Sequence, residues 1–91
     1  MASRGSELVT VRYWAAARAA AGRESDQVPA TTLAEALQAV VALHAGNRRF
    51  ADVVGVCSVL VGSAPVSSRD PAQVPLSADD VVELLPPFAG G

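Results

Sequence analysis

Ninety-one residues and 9.3 kDa fit one small domain, which excludes a second folding unit and a multidomain enzyme. A composition 51% hydrophobic and 18% charged excludes intrinsic disorder and predicts a packed core. Net charge −2 and a pI near 5.1 lack the basic footprint of a nucleic-acid binder, and no apolar run is long enough to span a membrane.

Residues 1–6 read as a disordered lead-in without the apolar segment of a secretory signal, so the expected location is the cytoplasm. The domain proper is expected over residues 7–85. From Glu7 to Trp14 the chain alternates, with Val9, Val11 and Tyr13 on one face and Thr10, Arg12 and Trp14 on the other. That is a half-buried strand. Ala15 to Ala21 has high helix propensity and stops at Gly22, but seven residues need packing to stay helical. Arg23 to Val28 is polar and meets Pro29, as an edge strand does.

Thr32 and Glu35 have capping-box spacing and open an apolar stripe of Leu33, Ala36, Leu37, Val40, Val41 and His44, with Gly46 as the stop. This predicts an amphipathic helix of about three and a half turns. Asn47 to Gly55 fits either a short helix or a packed loop. Val56 to Val61 reads as a buried strand and Ala64–Val66 as a short edge strand. Turn chemistry fills 67–71 and 76–80, and Val81 to Leu85 is the last strand. Two strands before the main helix and the rest after it predict an α+β fold of the β-grasp arrangement. Its mixed sheet would curl around one helix, with the first and last strands parallel at its centre.

The residues after that last strand carry the chemistry. Pro86-Pro87 ends strand pairing and favours a stiff, extended exit, followed by Phe88-Ala89-Gly90-Gly91. Glycines without a Cβ can thread a narrow channel, and the reach from Pro86 to the carboxylate is at most roughly 20 Å. The stem and tail together predict a carboxylate delivered into another protein's active site. A frayed terminus is the alternative.

LLPPFAGG resembles the tail of the MoaD family, the small subunit of molybdopterin synthase, whose members end in Pro-Pro-x-Ala/Ser-Gly-Gly. It is more distantly similar to the thiamine-pathway sulfur carriers and to ubiquitin. The resemblance covers about residues 8–91 and includes the opening LVTVRYWAAARAAAG. Phe88 departs from the usual smaller aliphatic and Leu84-Leu85 from a frequent aromatic pair, and neither touches the terminal carboxylate.

The resemblance implies a sulfur carrier that is not an enzyme by itself. Gly91 would be adenylated by an E1-like activating enzyme, which uses ATP, and converted to a thiocarboxylate. That group would donate sulfur inside the large subunit of molybdopterin synthase. No cofactor or metal would be bound by this chain, and neither nucleic acid nor membrane would be a partner. Sulfur delivery for thiamine or cysteine synthesis, and protein modification through an amide, are the alternatives.

Alternation puts Val82 and Leu84 inside and Val81 and Leu85 outside, so Trp14, Leu85 and Phe88 would form an apolar patch at the tail root. The resemblance implies partner contact at positions matching Trp14, Pro65 and Leu85.

The remaining chemistry-bearing residues read as structural. His44 falls on the apolar stripe, where a cation can meet the helix C-terminus. Cys57, the single cysteine, reads as a small hydrophobe of the third strand; a persulfide relay is the alternative. Asp79-Asp80 fits a turn and Arg48-Arg49 a solvated surface. All seven basic residues are Arg, so no side-chain amine exists for isopeptide chains of this protein.

Overall fold

A computed structural model describes residues 8–87. The predicted lead-in at 1–6, Glu7, and Phe88 to Gly91 lie outside the described residues. In chain order the elements are β1 (Leu8–Tyr13), α1 (Ala15–Ala21), β2 (Ser25–Pro29), α2 (Leu33–Leu43), α3 (Arg48–Val56), β3 (Ser58–Val61), β4 (Ala64–Pro65) and β5 (Val81–Leu85). A 3-10 turn covers Pro71–Gln73.

The five strands form one sheet in the order β2-β1-β5-β3-β4. At its centre β1 and β5 run parallel, with Val11 opposite Val82 and Tyr13 opposite Leu84; β2 and β3 flank them antiparallel. This is the β-grasp arrangement expected from the order of elements. A parallel pair needs a long crossover, and everything from α1 to β4 provides it.

The strict alternation of β1 and β5 sorts the two faces. Val9, Val11, Tyr13, Val82 and Leu84 point inward, at most 2% exposed, and pack with Leu33, Ala36 and Val40 of α2 and Phe50 of α3. Most of these side chains are small or β-branched, and two aromatics, Tyr13 and Phe50, supply the bulk.

Several boundaries differ from the sequence reading for identifiable reasons. Helix α2 has eleven residues, about three turns, and ends at Leu43 with His44 as its cap. Gly46 lies beyond it in a tight turn, at φ +87°. The cap at the start is also shifted. Thr32 Oγ1 accepts from the Glu35 N–H as expected, but the Glu35 carboxylate reaches back to the backbone N–H and hydroxyl of Thr31 rather than to Thr32. Those bonds, the backbone one foremost, hold Glu35 below the usual carboxylate range.

The open segment 47–55 is helical, because the Asn47 side chain caps it by accepting from the Phe50 N–H at 2.9 Å. That helix takes Val56, so the predicted buried strand 56–61 shortens to Ser58–Val61. It is only half-buried, since just the two-residue β4 covers its outer edge; Val56 itself is 62% exposed. The polar strand begins at Ser25 and includes Pro29, tolerable on the sheet edge. The turn-rich stretch after β4 contributes Val66, Val74 and Leu76 to the core. It is pinned by Leu33 N–H to the Val74 carbonyl and Leu76 N–H to that of Thr31.

Leu84 and Leu85 are neighbours in sequence on opposite faces. Leu84→Ala should cost about 2–5 kcal/mol in urea unfolding, while half-buried Leu85→Ala should cost less than half as much at unchanged m-value.

Candidate functional site: the root of the C-terminal tail

Strand β5 delivers the chain out of the middle of the sheet at Leu85. Pro86 is half-buried and Pro87 exposed. Neither proline can donate a ladder hydrogen bond, so pairing stops where the tail begins. The predicted reacting residue, Gly91, and the tail residues Phe88, Ala89 and Gly90 lie outside the described residues.

The outer face around this root is defined by register. Arg12 stands opposite Glu83, Glu83 opposite Leu60 and Leu60 opposite Pro65, while Leu85 faces Ser58. Trp14 lies one residue beyond the β1–β5 ladder, and its N–H donates to the Leu84 carbonyl at 3.2 Å. Trp14, Leu85 and Pro65 therefore share one face. Trp14 (38% exposed) lies beside the tail root, and Pro65 sits three strands away from β1, ~14 Å at ordinary strand spacing. Leu60, which the sequence reading did not single out, bridges them.

Trp14 also begins α1. Its carbonyl accepts from the N–H groups of Ala17 and Arg18, and no side chain caps the helix. Ala15 takes the chain around the corner at φ +49°, a left-handed conformation costing ~1–2 kcal/mol for an L-residue. That corner lets Tyr13 point into the core while Trp14 stays on the outer sheet face.

Tyr13 is fixed from below by a polar cluster. Asp26, on the inner face of β2 and 7% exposed, accepts from the Tyr13 hydroxyl at 2.7 Å through Oδ2 and from Arg23 at 2.8 Å through Oδ1. His44 Nε2 lies 2.8 Å from the same Oδ2; an ionised carboxylate can only accept, so Nε2 carries the proton. Phe50 stacks edge-on against Tyr13, with centroids 5.3 Å apart, and lies 4.3 Å from the His44 ring. Asn47 ties the neighbourhood together by donating to the Ala20 carbonyl at 2.9 Å while capping α3.

His44 is thus a structural histidine, as expected, but its ring serves Asp26 rather than the helix end. Burial favours the neutral acid at Asp26, yet donation from His44 and Tyr13 and the nearby Arg23 charge outweigh it and hold the carboxyl below its ordinary value. Burial and the Asp26 hydrogen bond push the Tyr13 phenol well above its usual range. It remains a donor at any working pH.

Cys57 caps the end of α3 rather than sitting in β3, half-buried beside the groove between α2 and the β3–β4 edge. Burial pushes its thiol up to about 11, so little thiolate exists at neutral pH. Arg48 and Arg49 are solvent-exposed, and Asp80 closes a turn by accepting from the Ser77 N–H at 2.9 Å. Among the described residues no group of three His, Cys, Asp or Glu side chains is placed to hold a metal, and no helix is long and apolar enough to cross a membrane.

The Asp26 cluster fixes a sign. A carboxyl lowered in the folded state adds stability above the unfolded value of about 3.9, and that stability is lost as pH falls through the folded value. Wild-type unfolding free energy should therefore drop below about pH 4, whereas Asp26→Asn should be less stable at pH 7 by roughly 1–3 kcal/mol and flatter in acid. Urea midpoints across that pH range check both.

Comparison with known proteins rests on the same elements. No curated protein matches the chain. Among solved structures, small archaeal modifier protein 1 from Haloferax volcanii superposes with TM-score 0.74 at 22% identity, over 92% of this chain and 99% of that one, a likeness of fold. A chain of the complex of subunits 1 and 2 of the molybdopterin-converting factor from Helicobacter pylori gives 0.65 at 25% identity, covering 92% and 99%. A chain of the BexX/CysO complex from Amycolatopsis orientalis gives 0.72 at 26%, covering 91% and 99%. The model of the ThiS family matches residues 11–91, from the middle of β1 through the tail, and the chain belongs to that family of ubiquitin-like proteins.

Proposed function

We propose that this chain is the sulfur-carrier subunit of a molybdopterin synthase, a protein cosubstrate whose reacting group is the Gly91 carboxyl. The observation that carries the reading is the tail root. A Pro-Pro stem leaves the centre of the sheet beside an outer face on which Trp14 and Pro65 are exposed and Leu85 is half-buried, and leads into Ala89-Gly90-Gly91. Membership of the ThiS family and likeness to a chain of the molybdopterin-converting factor complex support it.

A carboxylate is a poor electrophile, so activation comes first. In the proposed sequence an E1-like enzyme lets the Gly91 carboxylate attack the α-phosphorus of ATP, releasing pyrophosphate and leaving an acyl adenylate. A sulfide-level donor then adds to the acyl carbon and AMP leaves, giving the thiocarboxylate. Its sulfur is the nucleophile delivered to the pterin precursor in the large subunit. This chain contributes recognition and reach; the acids and bases belong to its partners. The relay needs no part from Cys57, whose half-buried thiol holds little thiolate at neutral pH.

The likeness to a chain of the BexX/CysO complex favours a second reading, in which the same thiocarboxylate serves another biosynthetic enzyme. Co-purification with each candidate large subunit separates the two. Protein modification would instead leave stable high-mass adducts.

Incubation with activating enzyme, ATP and sulfide should raise the intact mass by about 16 Da, one oxygen exchanged for sulfur, confined to the C-terminal peptide. Deletion of Gly91 should abolish the shift, and Cys57→Ser should retain it. A shift that survives the deletion contradicts the assignment.

A further inference from the structure

Trp14 is the single tryptophan, and its backbone is held on both sides: the N–H by β5, the carbonyl by the first turn of α1. Its side chain makes no capping hydrogen bond to α1 and is 38% exposed. What lies on it is Arg12, whose guanidinium carbon stands 5.1 Å from the ring centroid. Both residues belong to the outer face, two apart along β1 and its continuation, where alternation brings side chains to the same side.

Glu83 faces Arg12 across the β1–β5 register, yet among the described residues Arg12 makes no ion pair. The guanidinium is committed to the indole instead. A planar cation over the negative face of a ring is favourable and orients both groups.

We propose that Arg12 is the positioning residue of the docking surface, holding the Trp14 indole on the outer sheet face beside Leu85 so that the large subunit meets it already oriented. The proposal rests on the sulfur-carrier reading for its partner, and on the free protein alone for the geometry. Freezing a surface side chain into one rotamer on binding weakens association. Arg12 removes that cost before the encounter. Lys retains the cation but not the planar stacking, whereas Gln retains neither.

The single tryptophan makes the test direct. In the free protein, Arg12→Gln should lower the ratio of held to released indole about two- to fivefold, the size of an exposed cation–π contact, seen as stronger acrylamide quenching and faster tryptophan depolarisation. Arg12→Lys should restore most of the protection. With the large subunit, affinity should fall by a similar two- to fivefold for Arg12→Gln, while the 16 Da shift (atomic-mass arithmetic, about one oxygen-to-sulfur exchange) is unchanged.

Unchanged quenching in Arg12→Gln overturns the positioning role, and changed quenching with unchanged affinity overturns its part in docking. If the wild-type chain itself fails to bind any large subunit, the synthase reading and the docking role fall together. The quenching comparison still decides what holds the ring. Circular dichroism and thermal midpoints close to wild type would show that an exposed substitution has not simply unfolded the domain.

Discussion

Everything at the tail root depends on the parallel pairing of β1 with β5. Because the last strand runs between β1 and β3, the chain emerges from the middle of the sheet and not from an edge. The same ladder brings Trp14 to the side of Leu85, through the hydrogen bond from its N–H to the Leu84 carbonyl. A central exit and the placement of Trp14 beside Leu85 are consequences of one strand pairing.

The pairing is held from the inner face. Val11, Tyr13, Val82 and Leu84 are essentially fully buried, and Tyr13 is tied by its hydroxyl to Asp26 at 2.7 Å. Asp26 gathers Tyr13, Arg23 and His44, so the ends of β1 and α2 and the beginning of β2 are joined through one carboxylate. A buried charge is destabilising when unpaired, and here both oxygens are used. Tyr13 takes the inward position at the end of β1, and the next residue, Trp14, falls on the outer face.

Much of this was legible in the sequence because it depends on short periods and local chemistry. Alternation through Val9, Val11 and Tyr13 and through Val82 and Leu84 assigned the faces of both central strands; the stop at Gly22 and the Thr32 cap set two helix boundaries. What escaped was non-local. Nothing near Asp26 marks it as the partner of a histidine eighteen residues later, and Val56 to Val61 looks like a strand until the Asn47 cap claims Val56 for a helix. Val74 and Leu76 lie among turn residues and enter the core only because that segment crosses the start of α2. For the site, the stem could be read from its motif, the outer-face placement of Trp14 and Leu85 from parity and Pro65 from the family resemblance, whereas Leu60 and the Arg12 contact required the register.

In the proposed function the body is a handle and the main-chain carboxyl of Gly91 is the substrate. Isotope exchange between pyrophosphate and ATP, catalysed by the E1-like enzyme, reads that carboxyl before any sulfur chemistry begins. The account predicts exchange that saturates with the intact chain and vanishes when one glycine is appended after Gly91, the fold being unchanged. Equal exchange with the appended chain would contradict it.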